Sequence, residues 1–174
     1  MEPVRDVSRG TGTPHISRGS EADTATIAEI SKLYEWSKNW KAQTIAAGQN
    51  LLSGIQAQCY DLSLEIDLSR SAANAIEFWL PGRWVTYDVR NRTLMGKKLD
   101  SSGDRLKLRL LVDWSQLEVF GNEGEYYWSE RVALPPGGGS ELKLNVDGNT
   151  ELVSMSLHRI SSIWRAFCKT PKLA

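Results

Sequence analysis

The chain has 174 residues, 41% of them hydrophobic and 24% charged, which is ordinary globular composition for one domain with a sizeable core. Its 21 basic and 21 acidic side chains cancel, so nothing in the charge calls for a nucleic-acid or anionic-membrane partner. No run reaches the roughly 18 apolar residues of a membrane helix, and the first twenty residues lack the apolar stretch of a secretory leader, so the chain reads as soluble, with its compartment unassigned.

Residues 1–25 mix Arg, Gly, Ser, Thr and Pro without apolar periodicity, and read as a disordered or partly helical arm in which His15 is a solvated loop residue. Ile27, Ile30, Leu33 and Tyr34 fall at helical spacing and predict one or two helical turns. From Trp40 onward the pattern is β. Trp40 to Ile45 predicts a strand closed by a turn at Ala47-Gly48-Gln49-Asn50, and Leu51 to Ile55 a short one. Tyr60 to Leu68 alternates cleanly, with Leu62, Leu64, Ile66 and Leu68 on one face and Asp61, Ser63, Glu65 and Asp67 on the other. Strands follow at Ala75 to Leu80, Trp84 to Val89 and Thr93 to Met95, with turns at Pro81-Gly82 and Asp88 to Arg92.

Leu106 to Val132 predicts three antiparallel strands, with a turn at Gly121-Asn122-Glu123-Gly124 before Tyr126, Tyr127 and Trp128. Leu106, Leu108, Leu110 and Val112 share one face of the first. Pro135 to Ser140 is a loop whose glycines form no phosphate cradle, since no Gly-Lys-Ser/Thr follows. Glu141 to Val146, a tight turn at Asp147-Gly148-Asn149, and Leu152 to Arg159 complete the pattern before a frayed tail. About ten short strands, closely spaced turns and no internal repeat predict an all-β, two-sheet antiparallel β-sandwich of jelly-roll or concanavalin-like type.

The segment LLVDWSQLEVFGNEGE is similar to the signature of the C-terminal β-sandwich of glycoside hydrolase family 32, the invertases, inulinases, levanases and fructosidases. IAEISKLYEW resembles the stretch where family members leave the catalytic propeller and enter the sandwich, and Pro3 to Val7 is a second candidate for that junction. Ile160 to Trp164 resembles the family's usual ending, whereas Trp114 stands where members commonly carry a basic or small residue. The resemblance covers the sandwich at 26–165, while 1–25, which matches nothing firmly in the family, reads as a flexible arm or linker remnant and 166–174 as a tail. It also implies a non-catalytic module that stabilises or docks to a propeller, in the same chain or a separate one, and sometimes builds homodimers.

Fructan hydrolysis needs two carboxylates across the scissile bond. Family members carry them, with a sugar-holding Arg, in Asn-Asp-Pro, Glu-Cys and Arg-Asp-Pro motifs. None occurs here, and Arg5-Asp6 is followed by Val7, so no catalytic residue is transferred to this chain. Asp113 and Glu118 flank a turn and read as structural, accepting turn amides or pairing with a neighbouring strand. His158 reads as a packed or interface residue. Cys59 and Cys168 lack metal-ligand spacing and read as free thiols, a bridge between terminal strands being left open; no metal or cofactor is expected.

Aromatic rings are the remaining candidates. Trp79 and Trp84 flank Pro81-Gly82, and on one strand Tyr126 and Trp128 share a face that Tyr127 does not. Trp79, Trp84, Tyr126 and Trp128 serve either docking or core packing, or a platform for stacking fructan or another glycan, the reading of a stand-alone carbohydrate-binding module.

Overall fold

The computed structural model describes residues 33–80, 82–100, 102–113, 115–132 and 141–161. In chain order the strands are β1 (Tyr34–Trp40), β2 (Gln43–Ile45), β3 (Cys59–Asp67), β4 (Ala75–Leu80), β5 (Arg83–Asp88), β6 (Thr93–Leu94), β7 (Lys97–Lys98), β8 (Arg105–Asp113), β9 (Gln116–Gly121), β10 (Tyr126–Arg131), β11 (Lys143–Val146) and β12 (Thr150–Ile160). Two antiparallel sheets result. A seven-stranded sheet runs β1, β12, β3, β8, β9, β10, with β2 also paired to β12, and a five-stranded sheet runs β11, β4, β5, β6, β7. The β-sandwich read from the sequence is therefore present. Among the described residues no helix is long and apolar enough to cross a membrane.

Alternation builds the core. In β8 the residues Leu106, Leu108, Leu110 and Val112 are buried while their neighbours are partly or fully exposed. β3 supplies Tyr60, Leu62, Leu64 and Ile66, and from the facing sheet come Ile76, Phe78, Leu80, Val85, Tyr87, Leu144 and Val146. All belong to one hydrophobic cluster that joins the two inner faces.

Several expectations need correction. The strand expected from Trp40 to Ile45 is two strands, because β12 carries an irregularity between Leu152 and Ser154. On one side of it β12 pairs with β1 through Met155 to Ile160, and on the other with β2 through Thr150 to Leu152, so the edge must break too. Leu51 to Ile55 is a run of turns rather than a strand. Asn50 wins that local competition: its Oδ1 accepts the amides of Leu52 (3.0 Å) and Leu144 (2.9 Å), which curls the chain and drives Leu52 into the core. Tyr34, placed at the end of a predicted helical turn, opens β1 opposite Ile160. Leu68 leaves the alternating face and starts a short 3₁₀ turn. The outer face of β3 is not simply solvated either, since Asp61 and Asp67 are buried. The arm at 1–25, His15, the Pro135 to Ser140 loop, Ser162 to Trp164 and Cys168 lie outside the described residues.

The tight turn between β11 and β12 docks against the 72–75 segment. Asp147 Oδ1 accepts the amides of Asn74 (2.7 Å) and Ala75 (3.0 Å), and Ala72 donates to the Asn149 carbonyl at 2.7 Å. A Cβ on Gly148 would lie 2.6 Å from the Ala72 carbonyl oxygen, a backbone atom that cannot swing aside. Gly148→Ala should therefore cost about 1–3 kcal/mol as strain, measured by denaturant unfolding. The Ala75 amide, followed by the Asn74 groups, outweighs desolvation and holds the Asp147 carboxyl below its ordinary pKa. A depressed folded-state pKa stabilises the fold above the unfolded value, and this is lost as pH falls through the folded one. Asp147→Asn should lower the melting temperature near neutral pH and flatten its decline below about pH 4.

Candidate functional site

The strand alternation sorts the four aromatic candidates onto different faces. In β4 and β5 the even-spaced apolar residues point inward, so Trp79 and Trp84, paired directly across the two strands, share the outer face of the five-stranded sheet. Their ring centroids are 5.1 Å apart and the planes are inclined at 50°. Trp84 is 44% exposed and Trp79 is half-buried. Tyr126 and Trp128 share the inner face of β10: Tyr126 is buried, with its hydroxyl pKa raised by that burial, and Trp128 packs against the core. The structure thus brings Trp79 and Trp84 together and separates them from Tyr126 and Trp128.

What lies over Trp128 was not legible from spacing. Arg83, on the inner face of β5, places its guanidinium carbon 5.5 Å from the Trp128 ring centroid and reaches Glu130 at 3.5 Å. This clasp joins β5 of one sheet to β10 of the other, so Trp128 serves the closure of the sandwich. Tyr127 projects outward, 55% exposed, with its ring 5.2 Å from that of its cross-strand neighbour Phe120 and its hydroxyl donating to Glu118 at 2.9 Å. Trp36 on β1 is a further exposed ring, at 44%. The sequence reading singled out neither; their exposure depends on which side of each strand the core lies.

The outer face of the seven-stranded sheet holds the strongest polar constellation. Asp61 accepts from Arg109 Nε at 2.9 Å and Nη2 at 2.7 Å, and from the Tyr34 hydroxyl at 3.0 Å. The hydrogen bond to Asp61 leads the causes that raise the Arg109 pKa, and burial, then the Asp61 charge, raises that of Tyr34. The Tyr34 ring stacks on His158 with centroids 4.2 Å apart and planes 7° from parallel, and Ser37 Oγ shares a hydrogen bond of 2.7 Å with His158 Nδ1. His158 is packed, as its place in a strand suggests. Both oxygens of Asp61 are engaged by these partners, so the cluster ties β1 and β8 to β3.

Asp113 and Glu118 are occupied in the same structural way. Glu118 takes the Tyr127 hydroxyl, and Cys59 Sγ, in a buried residue, lies 3.5 Å from Asp113 Oδ1 as donor. Trp114, between them in sequence, lies outside the described residues. The described residues contain no group of three or more His, Cys, Asp or Glu side chains placed to hold a metal ion.

Residues 29–159 match the family described as "Glycosyl hydrolases family 32 C terminal". The chain is 28% identical to a levanase of Bacillus subtilis (strain 168), over 86% of its own length and 26% of that enzyme. It is 29% identical to a levanase of Bacillus sp. (strain L7), over 68% of its length and 16% of that enzyme. It therefore spans about a quarter or less of the curated relatives it matches. Several solved structures share its fold. Exo-inulinase from Aspergillus awamori superposes with a TM-score of 0.60 at 20% identity, covering 79% of this chain and 31% of that one. Fructan 1-exohydrolase IIa from Cichorium intybus gives 0.59 at 16% identity, covering 78% and 37%.

Proposed function

The chain belongs to the glycosyl hydrolase family 32 C-terminal family, and from that membership we propose that it is the non-catalytic β-sandwich of a fructan- or sucrose-hydrolysing enzyme, docking to and stabilising a catalytic β-propeller domain. The observation that carries this reading is the extent of the match. Residues 29–159 align with a C-terminal region, while the levanases it resembles are roughly four to six times longer than the part it covers. In this reading residues 1–25 are an arm or linker, 26–165 the module and 166–174 a tail. Two features support the non-catalytic part. The sequence lacks Asn-Asp-Pro, Glu-Cys and Arg-Asp-Pro, the motifs in which the family places its carboxylates and sugar-holding Arg. Asp113 and Glu118 are also held by Cys59 and Tyr127, respectively.

The Trp79–Trp84 pair favours a second reading, a module that holds a fructan or another glycan on the outer face of the five-stranded sheet. It is the weaker one. A row of coplanar rings suits a polysaccharide, whereas these two planes are inclined at 50°, and Tyr126 and Trp128 are taken up by the core and by Arg83.

Incubated with levan, inulin or sucrose, the purified chain should release no sugar above the buffer rate; measurable fructose release would overturn the non-catalytic assignment. Mixed with the catalytic domain of the Bacillus subtilis levanase, produced without its C-terminal region, it should form a sedimenting complex and raise that domain's melting temperature. In gels containing inulin or levan its mobility should match that in a sugar-free gel. Retardation that disappears in Trp84→Ala would establish the glycan reading instead.

A further inference from the structure

We propose that the docking face is the β1 edge of the seven-stranded sheet, with Trp36 as its central anchor and the adjoining groove as the socket for an apolar side chain of the catalytic domain. This rests on the docking reading above and specifies where on the sandwich the contact is made.

β1 is unusual among the strands. Five consecutive residues, Glu35 to Asn39, are exposed, yet the strand is fixed by its pairing with β12 and by the Tyr34–Asp61 and Ser37–His158 hydrogen bonds. It is held in place without being covered. Among the described residues no strand pairs with its other side, so β1 is the edge of the described sheet. Of the four large hydrophobic side chains most exposed among the described residues, two are Leu33, just before β1, and Trp36 within it.

Beside Trp36 runs a groove of about 370 Å³ lined by Ile55, Ala57 and Leu157 together with Glu35, Gln56 and Arg159. Its outer wall is fixed in advance: Glu141 accepts the Gly54 amide at 2.6 Å, and Leu142 donates to the Ile55 carbonyl at 2.9 Å. At the rim Glu35 pairs with Arg159 at 3.4 Å, both about half-exposed. A projecting Trp, a partly apolar hollow and a charged rim are the parts of a protein–protein contact centre. The occupant follows from position. In a C-terminal region the preceding domain lies on the N-terminal side of β1, the first described strand, so a surface beside β1 meets that domain at high effective concentration. The Trp79–Trp84 pair belongs to the other sheet and lacks that connection.

The test is hydroxyl-radical footprinting of the chain alone and with excess levanase catalytic domain, alongside sedimentation. Oxidation of Trp36 and Leu33 should fall severalfold in the complex while that of Trp84 stays constant. Trp36→Asp should melt like the parent chain, since the side chain is exposed, yet bind at least about tenfold more weakly; Trp84→Asp should bind normally. A complex that leaves Trp36 oxidation unchanged would overturn this face and spare the docking reading. No complex at all would overturn both. Should Trp36→Asp melt early, the footprint of the parent chain alone decides.

Discussion

The pairing of β3 with β8 is the constraint on which the rest of the molecule depends. Nine consecutive partners run from Cys59 opposite Asp113 to Asp67 opposite Arg105, at the middle of the seven-stranded sheet. A slip of one residue would turn Leu106, Leu108, Leu110 and Val112 to the wrong side, so burial alone specifies the register strongly. Asp61 and Arg109 add a polar lock on the opposite face. They are diagonal neighbours, Arg109 standing opposite Ser63, and the two-pronged contact is met only at this register. Asp61 is almost fully enclosed while Arg109 remains half-exposed, so desolvation falls mainly on the carboxylate that has three donors to answer it.

That pair was legible in the sequence because it obeys the simplest rule available. Leu62, Leu64 and Ile66, and Leu106, Leu108, Leu110 and Val112, recur at every second position, and two such faces can only meet in a core. The turn at Gly121 to Gly124 was equally plain, and in the structure Asn122 and Glu123 do take positive φ values there. Where reading failed, another force had overridden the pattern. Asn50 gave its side chain to two backbone amides and cancelled a strand that Leu51 to Ile55 could otherwise have formed. β1 has no alternation to read, since both of its faces are largely open and its position is set by partners more than a hundred residues away.

The aromatic residues show the same limit at the level of function. Alternation correctly groups Tyr126 with Trp128, but only the second sheet decides which group is inside, and Arg83, more than forty positions earlier, decides what covers Trp128. Side chains grouped by strand spacing as one candidate surface separate into a core residue, an inter-sheet clasp and an outward pair. The family signature fared better because it follows local constraints: the strand, turn and strand that carry it are the part of the chain where short-range chemistry and the final fold agree.

The position of β12 bears on how the molecule assembles. In the seven-stranded sheet this strand lies between β1 and β3, touching the earliest described strands although it is the last of the described strands to be made. Until it arrives, β1 and β2 have no partner in the sheet and the flank of β3 is bare. A nascent chain lacking its final strand therefore cannot close the sheet, however complete the β8–β10 meander is. Closure is a late, long-range event of the slow kind, and the unfinished sheet presents an adhesive edge while it waits. Ribosomal synthesis must deliver β12 before β1, the first described strand, is secured.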